Sequence, residues 1–224
     1  MLLMTMYNIT LISTFHTEMG KCNSDELHKI IQSISPEIIF EELPVRAFDI
    51  IYSREFSDEP LEVKCIKKYL QNHNIEHIPV DIDIDERLTN NYSNYIINTF
   101  NKYPDYQKLE NEQKLSITQD GFAYLNSKKC SESFNEKLIM EKNLMGLVIA
   151  NDLMFRIYKS FHEEIDKREN AMLHNIYNYG KENQYNQAVF LIGVGHRNSM
   201  VQKIAQCENN EELKLNWEFY NYQD

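Results

Sequence analysis

The chain opens with a short run of β-branched and apolar residues, Ile9 to Ile12, the pattern of a strand buried on both faces. The preceding residues lack a basic stretch and a small-residue cleavage site, so Met1 to Ser13 reads as a strand and not as a signal peptide. Asn23 or Ser24 can cap a helix whose apolar face carries Leu27, Ile30, Ile31 and Ile34. Pro36 stops it, and Ile38 to Phe40 predict a second strand. Pro60 suits the first turn of a helix facing inward through Leu61, Cys65, Ile66, Tyr69 and Leu70. Ile75 to Val80 predict a third strand. This β-α-β-α-β order implies a parallel sheet with crossover helices.

From Glu86 to Ser131 the pattern changes to Asn, Tyr, Lys and Gln with scattered apolar positions. Its aromatics need burial, so the segment reads as an inserted helical cap, with helices over Tyr92–Tyr103 and Tyr106–Leu115. A long helical stretch is expected from Ser133 to Ile165, and another helix from Asp166 to Tyr179 with Gly180 as its C-terminal cap. Ala188 to Ile192 predict a fourth buried strand, Ser199 to Ala205 a short helix, and Leu213 to Tyr220 a last strand. The expectation is one α/β domain over residues 1–224: a central, mostly parallel sheet flanked by helices, with residues 86–131 as the cap.

Charge and cysteine usage narrow the partners. Lys plus Arg number 23 against 34 Asp plus Glu, a net charge of −11, which disfavours nucleic acid and anionic membranes. No apolar run approaches the roughly 18 residues of a spanning helix. Cys22, Cys65, Cys130 and Cys207 form no C-x-x-C pair and read as reduced thiols of a cytoplasmic protein.

Each predicted strand is followed by polar residues: Ser13-Thr14-Phe15-His16, Glu41-Glu42, Asp81 with Asp83, and Gly193-Val194-Gly195-His196. In an open α/β sheet the carboxyl ends of the strands form the ligand edge, so these sets should converge. Two imidazoles and several carboxylates can bind a divalent metal or perform general acid–base work. The first and last sets share a strand–x–x–His layout, which suggests two related halves. Asp81, Asp83 and Asp85 alternate and serve equally well as a solvated strand end. Other motifs fail. Asp166 replaces the second histidine of an H-E-x-x-H pattern begun at His162, and Asn198 breaks the glycine fingerprint begun at Gly193. P-loop and G-x-S-x-G motifs are absent from the sequence, and His73, His77 and Trp217 read as structural.

Four segments together resemble the TraB/PrgY/TIKI superfamily, with its erythromycin esterase-like and ChaN-like relatives. Gly193 to His196 match its second G-x-x-H motif, and Ser13 to His16 match the first with serine for glycine. Pro36 to Leu43 match its glutamate motif in the register that selects Glu42 over Glu41. Arg168-Glu169-Asn170-Ala171-Met172 match its R-[DE]-x-x-M segment, and Asp81 falls at its acidic position after the third strand. The resemblance implies a hydrolase of peptide or ester bonds in a small-molecule or peptide substrate. His16, Glu42 and His196 would ligate a divalent metal, or one histidine would act as base with Glu42 orienting it; Arg168 would neutralise a carboxylate or hold an oxyanion. Glu41 and Asp81 complete the candidate set. If a metal binds, the scarcity of soft ligands favours manganese, cobalt or zinc. The alternative is a non-catalytic ligand-binding or interaction protein with a degenerate site.

Overall fold

A computed structural model describes residues 7–54, 58–84, 86–147 and 152–220. Residues 1–6 of the expected first strand, and Asp85, lie outside the described residues. The chain runs β1 (Asn8–Thr14), α1 (Ser24–Ile34), β2 (Ile38–Pro44), α2 (Val45–Ser53), α3 (Leu61–Leu70) and β3 (Glu76–Asp81). It continues through α4 (Glu86–Phe100), α5 (Pro104–Asp120), α6 (Phe122–Leu125), α7 (Lys128–Leu147) and α8 (Asp152–Glu182). It then forms β4 (Gln187–Gly193), a 3₁₀ turn (Val194–His196), α9 (Arg197–Asn210) and β5 (Asn216–Phe219). The five strands make one parallel sheet in the order β3-β2-β4-β1-β5. The fold is the expected α/β architecture.

Period-two alternation splits the sheet's apolar residues between two faces. Ile12, Ile39, Val189 and Leu191 face α1 and α3 and meet Leu27, Ile31, Cys65 and Ile66. Ile9, Leu11, Phe40, Phe190 and Ile192 face α8 and α9 and meet Met172, Ile176, Met200 and Ile204. Thus β1 sends the chain to a helix on one face, while its neighbour β4 sends it to a helix on the other. In sheets with such a divergence the carboxyl ends of the adjacent strands are the usual ligand position.

Local chemistry sets the boundaries of α1. Asn23 caps it by accepting the Glu26 N–H at 3.0 Å, and Ser35 ends it in the left-handed conformation at φ 53° before Pro36. Two expectations about the long helices are corrected. The chain does not break near residue 165: α8 is continuous from Asp152 to Glu182, and α7 ends at Leu147. Gly180 is not a cap but lies inside α8, where a Cβ would come within 3.0 Å of Leu213 Cδ2.

The segment 86–131 is helical, and several of its aromatics are buried, as expected. Phe100 and Tyr106 join Ile96, Leu144, Met145 and Met154 in a satellite core shared with α7 and α8. Phe122 and Tyr124 extend the main core beside α1. None of the helices among the described residues is long and apolar enough to cross a membrane.

Candidate active site

Glu41 and Glu42 are consecutive strand residues, so their side chains leave β2 on opposite faces. Glu41 turns toward α2, where its carboxylate accepts from Tyr52 Oη at 2.7 Å and pairs with His77 Nδ1 at 2.7 Å. The structure thus separates Glu41 from the other candidates. Glu42 turns toward α8 and becomes the centre of a buried ionic cluster.

Three elements donate to Glu42. From α8, Arg168 Nη2 reaches Oε1 at 2.7 Å. From the turn after β4, His196 Nε2 lies 3.1 Å from the same oxygen. At the end of β4, the Gly193 amide donates to Oε2 at 2.7 Å. Arg168 is fixed in turn by Asp81 at the end of β3, through Nη2 at 2.6 Å and Nε at 3.0 Å. His196 Nδ1 meets Glu169 Oε1 at 2.8 Å, and Glu169 also takes the Ser199 hydroxyl at 2.6 Å. Burial opposes ionisation of Glu42, but His196, His16 and Arg168 overcome it and hold its carboxyl far below the usual carboxylate range.

His196 sits between two carboxylates, a setting that favours donation from both ring nitrogens and so the imidazolium form. Burial works against that charge, yet Glu42 and Glu169 raise its pKa to about 9. His16 is built differently. Its side chain is 59% exposed, and its Nδ1 lies 3.0 Å from Glu62 Oε1 on α3. That hydrogen bond, chiefly, raises its pKa to about 9. Its Nε2 points across the crevice at Gly193. A Cβ at Gly193 would lie 2.9 Å from His16 Nε2 and 3.3 Å from Glu42 Oε2. Glycine is needed there for space, since its φ of −59° suits any residue.

The serine in the first strand-end motif is equally well explained. Among the described residues other than glycine, only Ser35 has positive φ, so Ser13 pays no conformational penalty. Its N–H and C=O bond the side-chain amide of Asn126 at 2.8 and 3.1 Å, and its hydroxyl accepts from Arg197 at 3.1 Å. This buried clamp ties β1 to α9 and to the inserted helices.

His16, Glu42, Asp81, Arg168 and His196 therefore belong to one cluster. Asp83 instead pairs at the surface with Arg46. Glu62 and Glu169 were missed. Glu169 stood beside Arg168 in the same sequence motif, whereas Glu62 looks like any acidic residue in a helix's first turn.

The cluster does not fit a metal ion in this arrangement. Both Glu42 oxygens already accept hydrogen bonds, the Arg168 guanidinium lies against one of them, and both ring nitrogens of His196 face carboxylates. Among the described residues, no three His, Cys, Asp or Glu side chains form a metal-holding group. The arrangement suits proton transfer by an open imidazole beside a fixed anion. Comparison of the chain with models of known protein families, with curated proteins and with solved structures finds no match.

Proposed function

We propose that this strand edge is a hydrolytic site of the TraB/TIKI-like kind, cleaving an ester or peptide bond in a small-molecule or peptide substrate by metal-free acid–base catalysis. The observation that carries the reading is the asymmetry at Glu42: one imidazole is locked against it, and the other, His16, faces it from the solvent side with Nε2 directed inward. Water placed between His16 Nε2 and Glu42 Oε2 gives its proton to His16 as its oxygen attacks the scissile carbonyl. His16 then returns the proton to the leaving oxygen or nitrogen. Arg168 and His196 keep Glu42 anionic, so His16 remains the group that exchanges protons. The free thiols suit a reducing cytoplasm.

The test is hydrolysis of 4-nitrophenyl esters of graded chain length and of fluorogenic peptides from pH 6 to 10, in chelator and with added manganese, cobalt or zinc. The expected result is turnover in chelator that rises about tenfold per pH unit toward pH 9, because only the neutral ring acts as base. His16→Asn should remove it. Turnover that requires stoichiometric metal would establish the metal-dependent reading instead. Saturable binding of these compounds without cleavage would establish the ligand-binding one.

A further inference from the structure

An exposed imidazole transfers protons efficiently only if its ring is held at the right angle and in the right tautomer. His16 sits on a loop, so something outside that loop must hold it. The start of α3 does so at two points. Pro60 offers no side-chain cap to α3, and the carbonyl of His16 itself accepts the Leu61 N–H at 3.0 Å. One residue on, Glu62 takes His16 Nδ1 at 3.0 Å on Oε1. The same Oε1 accepts the hydroxyl of Thr14, a fully buried residue at the end of β1. On the far side of the ring, Gly193 leaves just enough room for Nε2.

We propose that Glu62, steadied by Thr14, is the positioning residue of His16: it fixes the proton on Nδ1 and presents Nε2 to the crevice. The inference rests on the reading of His16 as the proton-transfer group, and the juxtaposition of Thr14, Glu62, His16 and Gly193 carries it.

The test joins a spectroscopic readout to a kinetic one. In protein labelled with ¹⁵N-histidine, the ring nitrogens of His16 at pH 10 should report the Nδ1–H tautomer. Glu62→Ala should move them toward the Nε2–H form, whereas Glu62→Gln keeps an acceptor and should preserve the wild-type tautomer. On the best ester at pH 10, where the ring is neutral in both chains, Glu62→Ala should lower kcat about 10²-fold with KM little changed, the usual size for loss of orientation. Thr14→Val, which leaves every carboxylate in place, should move both readouts in the same direction by less, and it substitutes for Glu62→Ala if that variant fails to fold. An unaltered tautomer in both variants would overturn the proposal, as would an altered tautomer with unchanged kcat. If the wild-type chain cleaves nothing, the hydrolytic reading fails, while the tautomer shift still decides whether Glu62 orients the ring.

Discussion

His16 and His196 stand two and three residues beyond the ends of neighbouring parallel strands, Thr14 and Gly193, which pair in register. They nonetheless have opposite surroundings. The chain after β4 turns at once into a 3₁₀ turn and α9, which packs against α8, so His196 is carried inward between Glu42 and Glu169. The chain after β1 runs into an open loop, so His16 keeps one nitrogen toward protein and one toward the crevice. The difference teaches that the spacing places an imidazole, while the neighbouring carboxylates decide its task. Between two carboxylates the ring is buried and held on both sides, and with one partner it stays exposed on the other side.

The comparison is broken most severely at its shared anion. Glu42→Gln keeps the shape but leaves the buried Arg168 and His196 with less counter-charge. Asp81 and Glu169 still hold them, so the cost should be about 3 kcal/mol, the low end for breaking a buried pair. For a domain of this size that is a fall in melting temperature of roughly 6–12 °C, read by calorimetry.

Next in size is the pH dependence of stability. The pKa of His196 lies at about 9 in the folded chain, above its ordinary 6.5, so its contribution is full below pH 6.5 and is lost as pH rises through 9. Glu42 is shifted the other way, so its contribution is full above about pH 4.5 and fades as pH falls. Denaturant midpoints should therefore drop between pH 6.5 and 9, and His196→Asn should flatten that drop. His16→Asn should alter it much less, because solvent screens a ring so exposed.

The smallest change in stability should come from Gly193→Ala. The new methyl meets the tip of the His16 ring, which can swing outward, so unfolding should shift by only about 1 kcal/mol. Turnover should fall roughly 10²-fold, because the ring then points away from the crevice. A variant that loses stability and turnover in proportion would show that His16, too, is a structural group.

The strand ends were the legible part of this site. A buried parallel strand must be apolar, so Glu42, Asp81 and His196 stood out as polar residues where the runs at Phe40, Val80 and Ile192 stop. The choice between Glu41 and Glu42 needed the direction of the pleat relative to α8, which the order of apolar residues leaves open. Glu62 was hidden because an acidic residue in a helix's first turn is explained by the helix alone. Glu169 looked like one more charge on a long polar helix, although it is 1% exposed. The division of residues 133–182 into helices was misjudged for a related reason. Gly180 resembles a stop signal, yet it lies inside α8, close against the Leu213 side chain.

In the proposed mechanism His16 exchanges protons while His196 stays fixed. The check is diethyl pyrocarbonate at pH 9, where a good part of His16 is neutral, with peptide mass spectrometry to locate the modification and hydrolysis measured on the same samples. Activity should disappear in step with modification at His16, while His196, buried between two carboxylates, stays unmodified. Full activity with His16 modified, or activity that persists until His196 reacts, would contradict the account.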